Sequence, residues 1–123
     1  MVVYGLDVQP VSEDNFAASV RFLAEWVSDG DAEARTYLAD HAEPEGGSLV
    51  AALGQDVVGY AAIVWESNYT GFLRRGIPLV HQLAVAEPFR RHGVGTVLMD
   101  AVERLARDRG IATLGITVGL FDE

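Results

Sequence analysis

The chain has 123 residues, eighteen of them acidic and nine basic, and a formal net charge of −9. Half of the residues are apolar and none is cysteine, which excludes a disordered chain, disulfides, thiol catalysis and a cysteine-held zinc. Every basic residue is arginine, so no Gly-Lys-Ser/Thr phosphate loop exists, and so acidic a chain lacks the basic footprint that DNA or RNA demands.

The length suits one domain over residues 1–123. The N-terminus has no basic segment followed by an apolar core. The longest apolar run, Val57–Trp65, is far short of the roughly 18 residues that span a bilayer. A soluble cytoplasmic protein with no membrane partner is therefore expected. The charges are uneven: residues 1–66 carry twelve acids and two arginines, residues 67–123 six acids and seven arginines. Either this is ordinary acidic surface, or an anionic ligand sits on the arginine half and a cationic amine near the acidic half.

Val2 to Val8 is rich in β-branched residues and reads as a first strand, ended by Pro10. Ser12 to Asn15 is cap-like, and Phe16, Val20, Leu23 and Val27 mark a helix to about Ser28. Asp29-Gly30-Asp31 breaks the chain before a second short helix over residues 32–41, anchored by Tyr37 and Leu38. Glu43 to Gly47 is a turn. Ser48–Leu53 and Val57–Glu66 read as a hairpin, with Gly59 marking a bulge. Residues 67–76, SNYTGFLRRG, form a polar loop, either a binding loop or a plain connection. Ile77 to Val85 is the central strand, and Glu87-Pro88 breaks it.

The chain then turns through Arg90-Arg91-His92-Gly93-Val94-Gly95-Thr96 into a long helix. Val94, Val97, Leu98, Ala101, Val102, Leu105 and Ala106 recur as one buried helical face, opposite Asp100, Glu103, Arg104, Arg107, Asp108 and Arg109. Gly110 caps the helix, and Ile111 to Gly119 gives a last strand. The fold class is thus α/β, a mixed sheet with flanking helices in the order β-α-α-β-β-β-α-β. The helix start is suited to an anion, because its first N–H groups lack helical partners and the backbone dipole adds partial positive charge. Gly93 and Gly95 leave the backbone approachable, and Arg90 and Arg91 offer planar donors to phosphate oxygens. A phosphate or pyrophosphate is expected across residues 91–96.

Arg90-x-x-Gly93-x-Gly95, preceded by Leu83-Ala84-Val85 and followed by the amphipathic helix, resembles the acetyl-CoA site of the GNAT N-acetyltransferases, and the order of elements fits that family over most of the chain. The resemblance implies direct transfer of an acetyl group from acetyl-CoA, as co-substrate, to a small-molecule or peptide amine. It places the pyrophosphate on Arg90, Arg91, His92, Gly93, Val94, Gly95 and Thr96, and the pantetheine arm against the backbone of Leu83, Ala84 and Val85. It also gives the first two helices to the acceptor site, so Phe22, Trp26 and Tyr37 either line a pocket there or pack the core.

A general base must deprotonate the amine. His81, which strand alternation places on one face with Leu83 and Val85, is the first candidate, and Glu66 the second; either can instead be a satisfied structural residue. Tyr69 has weak support as the thiolate acid. His41, His81 and His92 show no metal-ligand spacing, so no metal is expected. Against the family pattern the chain reads as C-terminally short, without a further helix and strand pair. Its last strand would then need a cover, a homodimer or a domain swap. The alternative is a non-catalytic acyl-CoA-binding or partner-binding module on the same fold.

Overall fold

The computed structural model describes residues 5–42, 46–65, 79–110 and 115–116, with positions 46, 79, 81, 115 and 116 described by backbone alone. The elements are β1 (Leu6–Pro10), α1 (Phe16–Trp26), α2 (Asp31–Asp40), β2 (Gly46–Leu53), β3 (Asp56–Val64), β4 (Leu79–Val85), a 3₁₀ turn (Glu87–Phe89), α3 (Val94–Asp108) and β5 (Gly115–Ile116). They form one sheet in the order β1-β2-β3-β4-β5. The first four strands are antiparallel, and β5 runs parallel to β4. This is the mixed α/β order read from the sequence.

The helices divide between the two faces of the sheet. Leu49, Ala51, Ala61, Ile63, Trp65, Val80 and Val85 pack with Val94, Leu98, Val102 and Ala106 of α3. Val50, Tyr60 and Ala62 pack with Val20, Phe22 and Leu23 of α1 and with Ala34 and Leu38 of α2. Strand alternation sends neighbouring residues of β2 and β3 to opposite helices, which is why both strands read as nearly continuous apolar runs.

Several boundaries and faces differ from the sequence reading. Helix α1 stops at Trp26, because the Ser28 N–H and hydroxyl both turn back to the Leu23 carbonyl, at 2.7 and 3.1 Å. On α3 the buried ridge is Val94, Leu98, Val102 and Ala106, while Val97 is 37% exposed. That ridge follows i, i+4 spacing, and Val97 lies off it. The strand expected from Val2 is seen from Leu6, and Pro10 is its last residue, opposite Leu49 on an edge strand, where a missing N–H costs no ladder bond. Residues 2–4, the whole loop 67–76, and residues 111–114 and 117–119 of the expected last strand lie outside the described residues.

Two irregularities in the sheet matter for the site. Ala51 pairs with Gly59 and Ala52 with Val57, so the extra residue of the β2–β3 ladder is Val58, one position before the glycine. Gly59 answers a different need. A Cβ there would lie 2.9 Å from Leu98 Cδ1 and 3.0 Å from Val94 Cγ1, so the missing side chain lets α3 close onto the sheet. The second irregularity is in β4. Ala62 pairs with Gln82 and Ile63 with Val80, which leaves His81 without a cross-strand partner.

Candidate functional site

The turn into α3 is a sequence of backbone constraints. The Phe89 N–H donates to the Ala86 carbonyl (2.9 Å) and the Arg90 N–H to that of Glu87 (3.2 Å). Arg91 then has φ +68°, the one positive value at a non-glycine among the described residues, and Gly93 has φ +86°. A left-handed arginine is sterically disfavoured, whereas glycine adopts this conformation freely. Helical bonding resumes only at Val97, whose N–H donates to the Gly93 carbonyl at 3.1 Å. Among the described residues, the amides of residues 91–96 have no backbone acceptor. Consecutive free N–H groups around left-handed residues make a concave anion cradle at the positive end of the helix dipole.

This turn forms one wall of a cleft of about 440 Å³, lined by Leu83, Arg91, Gly93, Gly95, Thr96, Met99 and Asp100. Its other wall is β4. Parallel pairing to β5 covers only Leu79 and Val80. Beyond them the outer edge of β4, residues 81–85, has no strand partner among the described residues. An open edge beside an anion cradle can take an extended amide-bearing chain as an added strand with its phosphates at the helix start.

Leu83 faces the cleft, Ala84 packs on the α1–α2 face, and Val85 is 2% exposed in the α3 cluster. Arg91, Gly93, Gly95 and Thr96 line the cleft, while the Val94 side chain anchors the helix start in the core. His92 is partly buried, and its Nδ1 is enclosed without a hydrogen-bond partner. Arg90 is not among the lining residues. Its Nε donates to the Val85 carbonyl at 2.9 Å, and its guanidinium lies 6.0 Å from the centroid of the Trp26 ring. Asp100, on the solvent face of the helix by its sequence pattern, also lines the cleft. Its position four residues after Thr96, on the same side of the helix, is the signal that would have placed it in the cleft.

His81 sits at the bulge of β4. The ladder shifts register there, and Val80, fully buried, packs with Leu83 and Val85 against α3. Glu66 and Tyr69 lie outside the described residues. Among the described residues no group of three or more His, Asp or Glu could hold a metal ion, and no helix is long and apolar enough to cross a membrane.

Phe22 and Trp26 line a second cleft of about 390 Å³ on the α1 side, with Glu25, Asp56, Pro88 and Phe89. Tyr37 does not join them. It stacks on His41 with 4.3 Å between ring centroids and meets Tyr60 edge-on at 6.0 Å. The His41 Nδ1–H donates to the Tyr37 carbonyl at 2.9 Å. The Ser48 hydroxyl donates to the His41 carbonyl at 3.0 Å. The serine proton is thereby used, so the Tyr60 phenol donates to Ser48 Oγ at 2.7 Å. Burial pushes the Tyr37 phenol up to about 12 and raises that of Tyr60 further.

The model of the acetyltransferase (GNAT) family matches residues 13–121. No curated protein matches the sequence significantly. Among solved structures, an aminoglycoside antibiotic 6'-N-acetyltransferase from Acinetobacter haemolyticus superposes with a TM-score of 0.77 at 18% identity, covering 93% of this chain and 80% of that one. An aminoglycoside N-acetyltransferase in complex with CoA gives 0.78 at 15% identity, over 94% of this chain and 78% of that one. A ribosomal-protein-alanine N-acetyltransferase from Brucella melitensis biovar Abortus gives 0.73 at 16% identity, over 94% and 81%. At these identities the likeness is one of fold.

Proposed function

The chain belongs to the acetyltransferase (GNAT) family, and from that premise we propose that it transfers an acetyl group from acetyl-CoA to a primary amine by direct attack. The observation that carries the reading is the juxtaposition of the partner-free amides of residues 91–96 with the open edge of β4. On this reading residues 1–123 are one acyl-CoA-binding domain.

The amides of residues 91–96, with Thr96 and Arg91, hold the pyrophosphate. The outward N–H and C=O of Leu83 pair with the pantetheine amides, whereas those of Ala84 turn inward to Tyr60 in the β3 ladder. The carbonyl of Val85 already accepts from Arg90, so the amide rather than the carbonyl of this residue is the group available to the arm. A backbone N–H near the bulge donates to the thioester oxygen as negative charge develops there. The amine loses a proton to His81 or, as second candidate, Glu66, and its lone pair attacks the acetyl carbon. The C–S bond breaks, the CoA sulfur leaves as thiolate, and the second proton lost by the attacking nitrogen passes to it, giving the amide and the CoA thiol. The acceptor is an amine of the kinds named for the similar structures, an aminoglycoside or a ribosomal-protein alanine.

Calorimetric titration with acetyl-CoA, followed by turnover with a panel of both amine classes, tests the reading. One acetyl-CoA bound per chain and acetylated amine recovered by mass spectrometry are the expected outcomes. Binding without turnover on any amine would leave a non-catalytic acyl-CoA-binding module. A folded chain that binds no acetyl-CoA would overturn the reading.

A further inference from the structure

We propose that Arg90 is a positioning residue that ties the anion cradle to helix α1, and not a ligand of the phosphates; the inference rests on the acyl-CoA reading above. The two adjacent arginines of the turn are chemically identical but differently employed. Arg91 lines the cleft, turned there by its left-handed backbone. Arg90 is half-buried, and its side chain is engaged elsewhere.

The Arg90 Nε–H satisfies the carbonyl of Val85, the last residue of β4. Its guanidinium faces the ring of Trp26, the last residue of α1. Its own N–H is held by Glu87 in the 3₁₀ turn. One side chain thus joins the end of β4, the segment entering α3 and the end of α1. The planar guanidinium can donate in its plane and stack through its face at the same time, which an ammonium cannot do. Held at that point, the next residue enters the left-handed conformation that opens the row of amides. Arg90 therefore sets the orientation of the cradle relative to the open edge of β4, and among the described residues Arg91 is the only cationic side chain lining the cleft.

The test separates a phosphate contact from a positioning role by salt dependence and by coupling. A cation on a phosphate contributes to the ionic-strength dependence of binding, and its removal flattens that dependence. Acetyl-CoA affinity is measured by calorimetry at several salt concentrations for the wild type, Arg90→Gln, Arg91→Gln and Trp26→Leu. Arg90→Gln is expected to weaken binding about tenfold with the salt dependence retained, whereas Arg91→Gln flattens it. Trp26→Leu lies outside the acetyl-CoA cleft and is expected to weaken binding in the same direction. The Arg90→Gln/Trp26→Leu pair is expected to be no worse than Arg90→Gln alone.

Arg90→Met keeps the aliphatic stem and supplies the measurement if the glutamine variant fails to fold. A flattened salt dependence in either Arg90 variant, or strictly additive effects with Trp26→Leu, would overturn the inference and leave acetyl-CoA binding standing. Absence of binding in the wild type would overturn the acyl-CoA reading and this inference with it.

Discussion

The two faces of the sheet treat polar groups in opposite ways. On the α1–α2 face, Tyr60, Ser48, His41 and Tyr37 form a hydrogen-bonded chain in which the serine both gives and receives. On the α3 face, the amides of residues 91–96 stand beside a cleft without backbone acceptors, next to an arginine in a disfavoured conformation. A buried polar group without a partner costs stability, so the closed chain serves the fold; on the proposed reading the acceptors for the open row come from acetyl-CoA.

That contrast can be broken from either side. The largest effect is expected at Gly93. Gly93→Val places a branched side chain at φ +86° beside the free amides and should lower acetyl-CoA affinity more than a hundredfold, with a stability loss of about 1–2 kcal/mol from the backbone alone. Calorimetry and denaturant unfolding of the same variant check both parts; an unchanged affinity would remove the cradle from the argument. Ser48→Ala strands the Tyr60 hydroxyl in the core and should cost about 1–3 kcal/mol in unfolding free energy while leaving acetyl-CoA affinity alone.

A pH prediction follows from the same network. The phenols of Tyr37 and Tyr60 are raised above the unfolded value of about 10. Above pH 10 the unfolded chain releases these protons before the folded one does, so their contribution is complete below pH 10 and is lost as pH climbs toward the folded values. Denaturation midpoints measured from pH 9 to 11 should fall, and Tyr60→Phe should make the decline shallower. The smallest effect belongs to Asp100, a carboxylate on the wall of an anion cleft. Asp100→Asn should tighten acetyl-CoA binding a few-fold, more at low salt than at high.

The sequence carried the helices and strands because each buries a continuous or periodic apolar set. Val94, Leu98, Val102 and Ala106 announce α3, and the near-continuous runs of β2 and β3 announce strands covered on both faces. The glycine pair and the helix behind it announced the turn into α3 that walls the cleft. What stayed hidden was phase and direction. Nothing in Leu79-Val80-His81-Gln82-Leu83 signals that the ladder skips His81, since either phase puts an apolar residue on the α3 face. Gly59 suggested a bulge, and the bulge lies next to it at Val58. Two neighbouring arginines look equivalent until the backbone turns one into the cleft and the other onto Val85 and Trp26. Such differences arise from tertiary contacts, which a linear pattern does not encode.

Gly59 also fixes how far the ligand cleft stands from the sheet. Val94, the first residue of α3, and Leu98, one turn on, rest on the spot where its side chain would be. The helix start and the free amides before it are thus seated at a height set by a single hydrogen atom. A methyl at that position would act as a shim, lifting the start of α3 by a few tenths of an ångström and widening the gap to β4. A residue that touches no ligand would then register in a binding assay as if it did.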